Sequence, residues 1–166
     1  MLDKNQLKTI LLASLDHEIE AAFAAAQQAQ ETASHEDNQP ENQYDTLSLE
    51  AAYLAHGQSE RILQLQEERI VLAKWPIPEF SEDDVIALGA LVVVENGSDD
   101  SGEAEKIIWI TPKGGRSIEC RGKTILVVSP DAPLAKQLVG LSEGDEIILG
   151  QDRPGAQAYW EIVSLV

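Results

Sequence analysis

Two long runs of the chain repeat apolar or small residues at steps of three and four, and the remainder groups Val and Ile into short stretches between turn residues. In the first run the repeating positions are Leu12, Leu15, Ile19, Ala22, Ala26, Ala29 and Ala33, with Asp16, Glu18, Glu20, Gln27 and Gln28 off the row. This is the seam of one long helix. In the second run they are Ala51, Ala55, Gln58, Ile62, Leu65, Arg69 and Leu72, a less regular row with Gln58 and Arg69 as polar interruptions. Side-chain size along the rows adds direction: the first goes from large to small and the second from small to large. Only an antiparallel pairing sets large beside large and small beside small, so the two runs predict a helical hairpin. A first helix of roughly thirty residues is about 45 Å long, and its Ala-rich seam offers no wide apolar face to a third element. The pattern therefore predicts a free-standing coiled-coil arm over residues 1–74, with a ten-residue polar tip, D-N-Q-P-E-N-Q-Y-D-T, from Asp37 to Thr46.

Beyond Lys74 the usage changes. Residues 75–166 hold six of the seven prolines and ten of the eleven glycines, the composition of short strands joined by turns. Lys74-Trp-Pro-Ile-Pro-Glu79 marks the boundary, with 75–80 as linker and 81–166 as a second domain. Ser81-Glu-Asp-Asp84 reads as a capped helical turn or an acidic lead-in. Strands are predicted at Leu91–Glu95, Lys106–Thr111, Ser117–Arg121, Thr124–Ser129, Glu146–Leu149 and Tyr159–Val163. Their separators are Asn96-Gly97, Asp100-Ser-Gly102, Lys113-Gly-Gly115 and Arg121-Gly122. One short helix interrupts them, opened by Pro133 and closed by Gly140. The fold class read from this order is α+β: a helical hairpin followed by a twisted antiparallel sheet packed on one short helix, with Trp109 and Trp160 in its core.

Charge narrows the partners. The chain carries 29 acidic and 12 basic residues, a formal net charge of −17, split 13 to 5 over residues 1–74 and 16 to 7 over 75–166. Affinity for nucleic acid rests largely on Lys and Arg neutralising phosphates, so direct binding to nucleic acid or to an acidic membrane is not expected. A basic protein surface or a metal-bearing site suits the charge, and so does plain solubility. The single cysteine, Cys120, fits a reducing compartment. No stretch has the length of a membrane span, and a cytoplasmic protein is expected.

The tip has helix-start chemistry: Asn38 as cap, Pro40 in the first turn, and Glu41 three residues after Asn38. A return helix starting there puts Glu41 and Asp45 one turn apart, with Asp37 just outside it. Three carboxylates so grouped suit a hard divalent cation shared with ligands from another protein. Acids near a helix N-terminus are also stabilised by the dipole alone, and spacing does not separate the two readings. His35 has the solvated reading of a lone His in a polar turn, and Tyr44 and Tyr53 read either as contact residues or as packing across the hairpin. No catalytic constellation is found. The three histidines, His17, His35 and His56, lie in the arm, Cys120 has no His near it in sequence, and no phosphate-cradling Gly loop precedes a helix.

Thr124-Ile-Leu-Val-Val-Ser-Pro-Asp-Ala-Pro-Leu-Ala-Lys-Gln-Leu-Val-Gly140, followed by Glu143-Gly-Asp145, resembles the C-terminal domain of the bacterial GreA/GreB transcript-cleavage elongation factors. The family shows a strand, a Ser-Pro helix opening that ends in hydrophobic-Gly, and Gly-Asp leading into a strand. The resemblance covers nearly the whole chain. It implies an N-terminal antiparallel coiled coil and an FKBP-like C-terminal domain. It also implies docking on RNA polymerase at the secondary channel through Asp131, Ala132, Pro133 and Leu134, with Asp37, Glu41 and Asp45 acting on the polymerase active site. Asp37 and Glu41 are then the candidate ligands of a Mg2+ shared with the polymerase, no cofactor is tightly bound, and the active site belongs to the polymerase.

The family's tip acids stand three positions apart in the order Asp-x-x-Glu, whereas Asp37 and Glu41 stand four apart. Ala132 replaces the usual Ser before the helix-opening Pro. The altered spacing keeps a second outcome open, a channel-occupying inhibitor that does not stimulate cleavage. A regulatory binding module of the Rnk kind is a further alternative, disfavoured by the length of the arm. A prolyl isomerase is suggested by the FKBP-like fold alone, a poor warrant.

Overall fold

The computed structural model describes residues 2–34, 46–81, 83–97, 104–149 and 158–166. The chain is α+β and divides into two compact units, one of residues 11–73 and one of residues 1–10 with 74–166. The first ten residues, read from sequence as the base of the arm, thus group with the sheet. Helix α1 spans Lys4–Ser34 and α2 spans Thr46–Lys74.

In the hairpin unit the buried row is Leu11, Leu15, Ile19, Ala22 and Ala26 on α1 and Ile62, Leu65 and Leu72 on α2. The predicted seam entered at Leu12, which is only half-buried. At 100° per residue Leu11 lies about 40° from Leu15 around the helix and Leu12 about 60° away on the other side. The four-residue step therefore keeps the stripe narrower. The side chains of Ala33 and Ala51 fall outside the described set.

Ion pairs link the helices. Arg69 donates from Nε to Asp16 Oδ1 and from Nη2 to Oδ2 at 2.9 Å, and Arg61 Nη2 lies 3.4 Å from Glu18 Oε2. Higher positions on α1 meet lower positions on α2, the antiparallel order expected from the size gradient. Arg69, a polar interruption in the sequence row, is thereby satisfied across the hairpin. Its hydrogen bonds hold the Asp16 carboxyl below the usual Asp value, the partial desolvation acting the other way. Gly57 stands in the interior of α2 with nothing within 4 Å of where a Cβ would be. Relative to alanine it destabilises the helix by about 0.5–1 kcal/mol.

The sheet unit has six strands, β1 Leu91–Asn96, β2 Glu105–Ile110, β3 Arg116–Cys120, β4 Lys123–Val128, β5 Glu146–Leu149 and β6 Ala158–Leu165, in the order β3-β4-β2-β1-β6-β5. Every predicted strand is present, Glu146–Leu149 with the bounds expected and the other five shifted by a residue or two at one or both ends. The expected all-antiparallel sheet is corrected to a mixed one, because β2 and β4 pair in parallel, Ile107 with Ile125 through Ile110 with Val128. The Lys113-Gly-Gly115 stretch had the look of a turn between neighbours. Instead the connection reaches past one strand position and closes on the end of β4, where Thr111 N–H donates to Val128 O and Gly115 N–H to Val127 O, both at 2.9 Å. A Cβ on Gly114 would stand 2.3 Å from Ser129 N, so only glycine lets this backbone cross that close.

The two sheet faces are buried by different partners. On one, Val92, Val94, Ile108, Ile110, Trp160 and Ile162 pack with Ala135 and Leu138 of α3, Pro133–Leu138. On the other, Leu91, Ile107, Trp109, Ile118, Ile125 and Val127 are buried, and the Trp75 ring sits 6.1 Å from that of Trp109. Both predicted core tryptophans are buried, on opposite faces. The start of α1 is tied in through Leu7, fully buried, and through two lysines that bond to the linker. Lys4 Nζ donates to Pro78 O at 2.6 Å and Gly89 O at 3.4 Å and stands 4.9 Å from the Phe80 ring, and Lys8 Nζ donates to Trp75 O at 2.7 Å. Burial pushes the Lys4 amine below the ordinary Lys value, and Glu79 acts against this.

Candidate functional site

The residues singled out by motif lie where β4 turns into α3. After Val128 the chain makes a tight turn closed by Ala132 N–H on Ser129 O at 3.0 Å, and Pro133 starts the helix. Proline suits this place because its fixed φ is helical and its missing N–H would have had no helical partner. Ala132 stands in the cap position with extended backbone, φ −62° and ψ 140°, and contributes no side-chain cap. The helix is held instead at its far end. Gly140, at φ 89°, leaves the helix by the left-handed route and donates to Ile86 O at 2.8 Å, while Ile86 N–H donates to Leu141 O at 2.7 Å.

A second turn then leads into β5. Ser142 N–H donates to Asp145 Oδ2 at 2.8 Å, Asp145 N–H returns to Ser142 O at 3.1 Å, and Gly144 N–H reaches Ile162 O at 2.8 Å. Ser81 and Asp84 repeat that closure. Ser81 N–H and Oγ both donate to Asp84 Oδ2, at 2.7 and 2.8 Å, and Asp84 N–H donates to Ser81 O at 3.0 Å. The backbone bond from Ser81, then its hydroxyl, hold Asp84 below the usual carboxylate range. The Ser-x-x-Asp lead-in is therefore a side-chain-closed turn, not a helix.

The four docking candidates separate by depth. Asp131 and Pro133 are exposed, whereas Ala132 and Leu134 are half-buried and pack against the sheet core. The outer surface of α3 adds Lys136 and Gln137, also exposed. The site presents a carboxylate, a rigid proline and an ammonium on a six-residue helix anchored from below.

The tip candidates Asp37, Glu41 and Asp45, with His35, Asn38, Pro40 and Tyr44, lie outside the described residues. Carboxylate oxygens are the donor type a hard cation prefers, and that chemistry alone fits Asp37 and Glu41 to Mg2+. Among the described residues no group of three or more His, Cys, Asp or Glu side chains is placed to hold a metal ion. Tyr53 does not pack across the hairpin: it is 76% exposed. Cys120 is buried in the sheet unit. No helix among the described residues is long and apolar enough to cross a membrane.

Sequence reasoning missed the Asp16–Arg69 pair and the Lys4 anchor. The first was detectable in principle, since an acid beside one seam and an Arg on the other meet once antiparallel pairing is assumed. Lys4 left no such signal, because its partners are backbone carbonyls.

No family model and no curated protein matches the chain. Among solved structures it is similar to GreA factor homolog 1 (Gfh1) of Thermus thermophilus, at 19% identity over 93% of this chain and 94% of that one, with a TM-score of 0.37. Thermus aquaticus Gfh1 is similar at 19% identity over 92% of each chain, TM-score 0.38. The prokaryotic transcription elongation factor GreA/GreB from Nitrosomonas europaea is similar at 21% identity over 66% of this chain and 90% of that one, TM-score 0.35. With TM-scores below 0.5 and identities of 19–21%, these likenesses decide neither the fold nor the activity.

Proposed function

We propose that the protein is a Gre-like factor that docks on RNA polymerase at its secondary channel and modulates elongation or the cleavage of backtracked RNA. The observation that carries this reading is the segment from Thr124 to Asp145. Its sequence order of strand, turn, Pro-opened short helix, Gly exit and Gly-Asp turn resembles the family's, apart from Ala132 in place of the Ser, and the chain folds it as that succession of elements, with Asp131 and Pro133 facing outward. In this reading Asp131 and Pro133 make the docking contact, and Ala132 and Leu134 position them by packing beneath. Asp37, Glu41 and Asp45 act on the polymerase active site, Asp37 and Glu41 as shared ligands of Mg2+. The factor has no catalytic centre of its own and no tightly bound cofactor, and it works in the cytoplasm.

The test is RNA cleavage by a stalled, backtracked polymerase complex with and without the protein, with binding followed in parallel. Faster cleavage that is lost when Asp37, Glu41 and Asp45 are all replaced by alanine, with binding retained, is the expected result. Binding without faster cleavage would assign the channel-occupying role that the four-position spacing of Asp37 and Glu41 favours. No binding would overturn the reading, and recovery of a nucleoside diphosphate kinase in its place would favour the Rnk-like alternative, whose family is linked to that kinase.

A further inference from the structure

The hairpin unit carries an apolar groove that its own packing does not require. Glu50, Tyr53, Leu54, Gly57 and Gln58 line a depression of about 480 Å3 on α2. A second hollow, of about 300 Å3, shares Leu54 and Gln58 and extends onto Ala25 and Ala29 of α1. Tyr53 is 76% and Leu54 62% exposed, so two large side chains stand in solvent beside a glycine.

That glycine is the informative residue. It sits in the interior of a helix, where glycine weakens the structure, it has no positive φ to demand it, and among the described residues nothing lies within 4 Å of where its Cβ would stand. Among the described residues neither backbone conformation nor a close contact at Cβ accounts for it. An approach from outside the chain does, because a missing Cβ opens the floor of the groove.

Charge selects what can approach. Residues 11–73 hold twelve Asp and Glu against two Arg, a net of −10. Both arginines are engaged across the hairpin, Arg61 with Glu18 and Arg69 with Asp16. A second copy of the hairpin and a nucleic acid would both be repelled.

We propose that this groove is a docking site for a basic polypeptide segment, which seats an apolar side chain over Gly57 between Tyr53 and Leu54 and sets its cations against Glu50 and the net negative charge of the hairpin sequence. The inference stands apart from the polymerase reading, since it needs only the groove and the charge.

The test uses the full chain and two labelled synthetic peptides of about 18 residues, roughly five helical turns, made of leucine and lysine in the same proportions. One gathers its leucines on one helix face and the other disperses them. The expected result by fluorescence anisotropy is about tenfold tighter binding of the first, enough to resolve as a specific contact. Gly57→Leu, whose Cβ meets open space and which raises helix propensity, removes that preference while the thermal midpoint holds or rises. Leu54→Asn, at an exposed position, also removes it. Equal binding of the two peptides would reduce the effect to charge, and a preference kept by Gly57→Leu would place the contact elsewhere. A wild-type dimer that Gly57→Leu dissociates would give the groove to a second copy. Each of these three results overturns the proposal.

Discussion

The sheet unit buries both faces of its sheet, whereas the hairpin buries one row of side chains that narrows from leucine to alanine. Fully burying a Leu or Ile contributes about 1.5–3 kcal/mol, and an alanine methyl about 0.8 kcal/mol or less. Stability is therefore concentrated in the sheet unit and thins along the hairpin as Leu11 and Leu15 give way to Ala22 and Ala26. Polar groups are held differently as well. The sheet unit satisfies Lys4 with backbone carbonyls in a buried setting, while the hairpin pairs its arginines with carboxylates at its surface. Both units leave large apolar side chains in solvent, Tyr53, Leu54, Leu63 and Ile70 in the hairpin and Val85, Leu88, Val139 and Tyr159 in the sheet unit. The units thus differ in how much core they bury, while both present contact surface.

The comparison can be broken most forcefully in the sheet. Ile108→Ala, at a fully buried position of the core beneath α3, is expected to cost about 2–5 kcal/mol in urea unfolding, and a loss under 1 kcal/mol would mean that the sheet is not the stable unit. Lys4→Met is expected to cost about 1–3 kcal/mol, since it leaves the Pro78 carbonyl without its charged donor. A stability equal to wild type would show the tie to be dispensable. In the hairpin the sign reverses: Gly57→Ala should stabilise by about 0.5–1 kcal/mol, read as a higher thermal midpoint. A lower midpoint would mean that Gly57 serves the hairpin's own packing.

The smallest effect concerns pH. Asp16 is held below the ordinary Asp value by Arg69, so the contribution of the pair is complete above the unfolded value near 4. It disappears as the pH falls through the lower folded value. A carboxyl NMR titration should place the Asp16 midpoint below the ordinary range in the wild type and return it there in Arg69→Gln. An unchanged midpoint would remove the pair from solution.

Much of this architecture was legible in the residues. The size gradient from Leu15 to Ala26 and back to Leu72 gave the antiparallel hairpin, because large and small side chains must meet their like. Period and turn chemistry located every strand and the short helix at Pro133. Strand order was not legible. The Lys113-Gly-Gly115 stretch reads locally as a hairpin turn, and nothing local reveals that Gly114 crosses the end of β4. Non-local pairing is decided by which faces bury together, a property of the whole sheet. At the candidate site, the motif located Asp131 to Leu134 but did not distinguish the outward pair Asp131 and Pro133 from the inward pair Ala132 and Leu134. That separation depends on how the six-residue helix lies on the core.

The tie between Lys4 and Pro78 spans 74 positions of sequence. During synthesis the first helical turn leaves the ribosome long before the carbonyl that will receive its ammonium. At about 5–20 residues per second, Lys4 waits several seconds with its partner unmade, while the hairpin's contacts already have both strands of sequence available. The sheet unit is in this sense the last to finish although it contains the start of α1. A tag fused before Leu2 would be expected to perturb folding of the sheet unit first, and the hairpin hardly at all.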